Sequence, residues 1–141
     1  LMPNHFHLLL REKEDGGISR YMHRVLTAYT KYMNTRYEKS GHAFQGTFQA
    51  VHVEDNEQLL HLSAYIHRNP RELSRWCRRE ERYPWSSYQD YIGASRWNGL
   101  LQREVLVSQF DSGKEYFEFV KSSSVKAEHL LDDEHLKMFK A

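Results

Sequence analysis

The chain has 141 residues, 40% of them hydrophobic and 28% charged, with a net charge of +1. That length supports one compact domain with a buried core, and the sparse Gly and Pro exclude a linker-rich or disordered protein. No apolar run of about 18 residues and no basic leader before an apolar segment is present, so no membrane partner is expected and the expected compartment is cytoplasmic. The single cysteine, Cys77, excludes an internal disulfide and a thiolate zinc cage, so any metal site must use His, Asn or carboxylates.

Taken in chain order, Phe6, Leu8 and Leu10 alternate with His5, His7 and Leu9, a two-residue period that predicts a strand over residues 4–11. Because this strand begins so close to Leu1, the start reads as a cut through a domain, and an upstream portion is expected. After the polar turn Glu12 to Gly17, apolar residues recur at three- and four-residue steps: Ile18, Tyr21, Met22, Val25, Leu26, Tyr29, Tyr32 and Met33. They predict a long amphipathic helix ending before Gly41, with Tyr29 and Tyr32 as core tyrosines. Residues 43–53 read as extended, with Gly46 marking a bulge or a close backbone approach. Asp55 followed by Gln58 forms a capping-box pattern ahead of Leu59, Leu60, Leu62 and Ile66, which predicts a second helix ended by Pro70 and with Asn69 pushed out of helical geometry. The Arg-rich residues 71–82 suggest a further helical turn. The run Tyr83 to Tyr88 is an aromatic knot that packs a loop onto the core. Residues 100–121 read as two short helices broken at Asp111-Ser112-Gly113, and a polar tail follows, either helical or disordered.

Two local pairs carry candidate chemistry. In a strand, His5 and His7 project from one face and suit a shared metal ion, although such a pair is equally readable as structural or exposed. Tyr65 and Asn69 stand four apart near the end of the second helix and so share a side of it, offering a phenol and an amide oxygen together. Read alone, they are an ordinary amphipathic contact and a helix C-terminal residue. The basic excess lies mid-chain, in Arg68, Arg71, Arg75, Arg78 and Arg79, a stretch that fits a solvated face as well as a phosphate-binding one. Trp85 and Tyr88 read as packing residues, with base stacking as the alternative. Ser86 and Ser87 have no base partner evident in the sequence, which leaves a serine hydrolase without support.

Three segments in order, Leu1-Met2-Pro3-Asn4-His5-Phe6-His7-Leu8-Leu9, Tyr65-Ile66-His67-Arg68-Asn69-Pro70 and Tyr83-Pro84-Trp85-Ser86-Ser87-Tyr88, resemble the single-tyrosine HUH transposases, closest to the REP-associated tyrosine transposases. The resemblance covers residues 1–95 as a catalytic domain, and residues 96–141 form a helical C-terminal extension and tail. It implies an α+β fold with a ferredoxin-like core, here expected to lack its N-terminal strands. It further implies Tyr65 as nucleophile and His5, His7 and Asn69 as ligands of Mg2+ or Mn2+. Arg68, Arg71, Arg75 and Lys31 are the expected DNA contacts, while Thr47 stands where the family carries Arg. The implied activity is nicking and rejoining of single-stranded or hairpin DNA through a 5′-phosphotyrosine intermediate. A homodimer is expected, partly because a half-built sheet leaves an edge for a neighbour. Two alternatives stay open: a truncated or domesticated DNA-hairpin-binding protein that does not cut, and a small metal-dependent hydrolase using His5 and His7 alone.

Overall fold

The computed structural model describes residues 1–97 and 99–124. Five α-helices run through them: α1 (Gly17–Tyr37), α2 (Asn56–Arg68), α3 (Tyr88–Ile92), α4 (Glu104–Val107) and α5 (Gly113–Ser122). Three 3-10 turns, Asn69–Glu72, Ser74–Trp76 and Glu80–Arg82, connect α2 to α3. The polar tail falls outside the described residues. Among the described residues, no helix is long and apolar enough to cross a membrane.

No β-strand occurs among the described residues, which overturns the expected α+β, ferredoxin-like core. A strand exists only within a ladder that pairs its N–H and C=O groups with a neighbour. Residues 4–11 and 43–53 carry apolar patterning, but they make no ladder. The backbone bond that engages His5 is a local one, from the Met2 N–H to the His5 carbonyl at 2.8 Å. Leu8, Leu9 and Leu10 are accordingly exposed. Gly46 interrupts no pairing, and open space lies where its Cβ would stand, so it marks neither a bulge nor a close approach. Without a sheet, the edge that favoured a dimer is no longer an argument for one.

The chain divides into two compact units, Leu8–Ala50 on one side and Leu1–His7 with the chain from Val51 on the other. The Leu8–Ala50 unit is built on α1. Its entry is a glycine turn, with Gly16 at φ 68° and the Gly17 N–H donating to the Glu14 carbonyl at 2.9 Å. Its exit comes at Tyr37, before Gly41 as expected: Glu38 takes the left-handed conformation and closes the last turn onto the Asn34 carbonyl. Asn34 also donates from its side chain to the Gly41 carbonyl at 2.9 Å, which satisfies the loop that follows. Met22 is buried, whereas Tyr29 and Tyr32 are 48% and 62% exposed. The reading of both tyrosines as core residues is therefore wrong.

The second unit is organised around α2. The Asp55 carboxylate accepts from the Gln58 N–H at 2.7 Å, and the Gln58 side chain accepts from the Glu54 N–H at 2.7 Å. One unpaired donor of the first turn and the N–H just ahead of the cap are thus satisfied. At the other end the helix stops at Arg68, but Asn69 keeps right-handed helical angles, φ −51° and ψ −37°, against the expectation for a residue before proline. The chain continues directly into the Asn69–Glu72 3-10 turn, where Pro70 sits in the first turn and its missing N–H is not needed. Ser63, Ala64 and His67 are buried on one side of α2. They meet α5 and the aromatic loop, in a core of Ala64, Tyr88, Tyr116 and Val120 surrounded by Tyr91, Ile92, Phe110, Phe117 and Phe119. The turn before α5 holds an N-cap, with the Ser112 hydroxyl accepting from the Glu115 N–H at 3.2 Å. Gly113 presses so closely on Ile92 that a Cβ would stand 2.7 Å from the Ile92 carbonyl oxygen, so this α3–α5 approach requires glycine.

Candidate functional site

All four residues singled out as nucleophile and metal ligands fall in the second unit, and the fold brings them together. The segment before residue 8 supplies His5 and His7, with ring centroids 5.0 Å apart. Tyr65 projects from α2 on the side away from the buried Ser63, Ala64 and His67, and its ring lies 5.6 Å from that of His7. One turn later, Asn69 is buried at 6% exposure, with its Oδ1 3.1 Å from His5 Nε2. The Asn69 amide thus meets the histidine pair at His5, one helical turn beyond Tyr65.

The electrostatics of the site suit an imidazole ligand better than a free phenolate. Burial, followed by the charge of His5, lowers the His7 pKa to about 4, so its ring is neutral near pH 7, the form in which an imidazole ligates. Burial and then the Glu72 carboxylate push the Tyr65 phenol above its ordinary value, and the Asn69 side chain only partly opposes them. Left to these residues, Tyr65 stays protonated at neutral pH.

The contacts of His5 test whether a cation fits. Asn4 Oδ1 lies 2.8 Å from His5 Nδ1 while Asn69 Oδ1 lies 3.1 Å from Nε2. A neutral imidazole has one N–H and can donate to only one of them. The other nitrogen then faces an acceptor, an arrangement that a cation between the two atoms relieves. A separation near 3 Å is also that of adjacent octahedral ligands about 2.1 Å from one ion. With the Asn4 contact taking the Nδ1 proton, Nε2 remains as the ligating atom, the usual way an outer contact selects a tautomer. No group of three or more His, Cys, Asp or Glu side chains is placed to hold a metal among the described residues. The donors that the fold brings near one another are the His5 and His7 imidazoles and the Asn69 amide oxygen.

The expected DNA contacts are dispersed. Arg71 pairs with Glu80 at 3.0 Å, and the Arg75 guanidinium lies 5.3 Å from the Trp76 ring centroid. Arg68 has a buried Nε with no hydrogen-bond partner among the described residues. Lys31 is exposed on α1, in the other unit. His61, one turn before Tyr65, approaches Glu57 at 3.9 Å and Phe119 at 5.8 Å between ring centroids.

Sequence reading missed His67. Its Nδ1 lies 2.7 Å from the Tyr116 hydroxyl and its Nε2 2.9 Å from Ser87 Oγ, and Tyr116 in turn donates to Ser63 Oγ at 3.1 Å. Ser87 therefore does have a histidine neighbour. That histidine is a poor base: burial lowers its pKa to about 3, and a neutral phenol rather than a carboxylate holds its far nitrogen. The residue instead joins α2, the aromatic loop and α5. Only its place two residues after Tyr65 could have drawn attention to it, and its partners lie 20 and 49 positions away.

Residues 1–69, which contain His5, His7, Tyr65 and Asn69, match the family model of IS200-like transposases. That part of the chain is therefore similar to IS200-like transposases. No curated protein and no solved structure matches the chain.

Proposed function

We propose that the chain nicks and rejoins single-stranded DNA, with Tyr65 as nucleophile and His5, His7 and Asn69 as ligands of Mg2+ or Mn2+. The observation that carries the reading is the meeting of His5 with Asn69 at 3.1 Å and of the His7 and Tyr65 rings at 5.6 Å, which brings candidate ligands and a candidate nucleophile together. Tyr65 Oη attacks the scissile phosphorus, the bond to the 3′ oxygen breaks, and the chain keeps the 5′ phosphate as a phosphotyrosine. Overall the phenol proton is balanced by the one taken up at the released 3′ hydroxyl. Attack by a 3′ hydroxyl on the phosphotyrosine reverses the step and returns the phenol, so neither ATP nor water is consumed. The cation, when bound, withdraws charge from the phosphate and favours ionisation of the phenol. His7 stays neutral, the form in which an imidazole ligates, and Asn4 orients His5. Arg68, Arg71, Arg75 and Lys31 contact DNA phosphates. The Tyr83 to Tyr88 motif favours the REP-associated branch, which supports hairpin-bearing substrate ends.

The test is covalent capture. Incubation with a labelled hairpin-bearing oligonucleotide should give a Mn2+-dependent protein–DNA adduct on a denaturing gel, absent with chelator and absent for Tyr65→Phe. Binding of the oligonucleotide with no adduct under any metal would reject this reading and favour a hairpin-binding protein that does not cut.

A further inference from the structure

Helix α1 has a composition that its position in a core would not require. Between Gly17 and Tyr37 it carries Arg20, Arg24, Lys31 and Arg36 and no Asp or Glu. Tyr21, Val25, Tyr29 and Tyr32 are 46%, 39%, 48% and 62% exposed. At 100° per residue these four fall within one side of the helix, at i, i+4, i+8 and i+11. Arg20, Arg24 and Lys31, at i, i+4 and i+11, form a row along one flank of that side. Arg20 is drawn to Glu14 at 2.5 Å, whereas no ion pair engages Arg24 or Lys31 among the described residues. The result is a line of phenol rings beside a line of cations, uninterrupted by negative charge.

We infer that this face of α1 is a stacking surface for an unpaired stretch of DNA, with bases on Tyr21, Tyr29 and Tyr32 and the phosphate backbone along Arg24 and Lys31. Exposed aromatic rings with flanking cations are how proteins hold single strands without reading sequence, because every base offers a π-face and every nucleotide a phosphate. Tyr21 to Tyr32 spans about 16 Å of helix at about 1.5 Å per residue, the length of about five bases stacked at about 3.4 Å. The Phe44 ring, 5.5 Å from Tyr29, extends the aromatic row beyond the helix. A duplex, whose bases are already stacked, has only the cationic row to meet, so the face discriminates for single strands. The inference deepens the reading of the chain as one that works on single-stranded DNA and assigns that strand a second contact surface outside the tyrosine–histidine site.

Binding of the full chain to a fluorescein-labelled oligo(dT) of 12 nucleotides, followed by anisotropy, tests it. Tyr21→Ala with Tyr32→Ala should weaken binding at least about tenfold, and wild-type tyrosine fluorescence should be quenched on binding. Tyr21→Phe with Tyr32→Phe, which keeps the rings, should bind like wild type, and the matched circular dichroism spectra of both pairs show that the helix is intact. Lys31→Glu should also weaken binding and reduce its salt dependence. Unchanged affinity in the alanine pair overturns the inference, including the case in which the same pair dissociates a dimer, because the face would then serve self-association. Failure of the active-site reading is separable: it shows as a wild-type chain that binds oligo(dT) through α1 but forms no Tyr65 adduct. Failure of the stacking surface alone shows as an alanine pair that binds and forms adduct like wild type.

Discussion

Asn69 and Asn4 set the chemistry of the candidate site from either side of one imidazole. Asn69 is buried and lies against His5 Nε2, while Asn4 is exposed and lies against the far nitrogen, Nδ1. Asn4→Ala removes no ligand, yet it frees the His5 ring to change tautomer. Loss of such an outer contact should weaken Mn2+ binding about 10-fold or more, measured by calorimetry on the chain without DNA. Equal affinity in the variant would show that Asn4 does not orient the ring. The histidine pair and the Tyr65–Asn69 pair were legible because each depends on a local period, two residues or four. Glu72 was not, because its field at Tyr65 depends on the 3-10 turn after Pro70 folding back.

At the scale of elements, α2 presents the tyrosine, so whatever frays α2 blurs the site. Its first turn relies on the Asp55 carboxylate bonded to the Gln58 N–H. Asp55→Ala should cost about 1 kcal/mol of stability, read as a lower urea midpoint at unchanged slope, and Asp55→Ser should recover most of it. A midpoint unchanged in the alanine variant would mean that the cap is not formed in solution. The caps of α2 and the break between α4 and α5 were readable because helix ends are determined by a few neighbouring residues. The end of α1 ahead of Gly41 was readable too, although Glu38 rather than a glycine takes the left-handed turn.

At the scale of the compact unit, His67 ties α2 to parts of the chain beyond the matched segment. Its neutral ring accepts one hydroxyl proton and donates one, through Ser87 and Tyr116, and stacks on Tyr88 at 5.1 Å between centroids. Burial holds its pKa at about 3 against 6.5 for an unstrained histidine. Between those values the unfolded chain takes up a proton that the native chain refuses. The contribution of His67 is therefore full above pH 6.5 and is lost progressively as pH falls toward 3, with a limiting slope of about 1.4 kcal/mol per pH unit. His7, lowered to about 4 for the same leading reason, adds a slope of the same sign. Urea midpoints at pH 7.5 and pH 5 should fall further for wild type than for His67→Gln, which keeps polar contacts but does not titrate. Equal falls would show that His67 is not buried neutral in solution.

The sequence by itself determined the helices, their caps and the local pairs of reactive side chains, since a helix closes its hydrogen bonds within its own segment and its periodicity is written in neighbouring residues. It could not determine whether the apolar residues near His5 and Phe48 would pair as strands, because a strand needs a partner from elsewhere in the chain. Only the tertiary structure decided that they make no sheet. It also decided that Tyr29 and Tyr32 face solvent while His67 is enclosed, because burial is set by what packs opposite a side chain rather than by the side chain's own pattern. The meeting of Asn69 with His5 across 64 residues belongs to that second category, and the candidate site exists only through it.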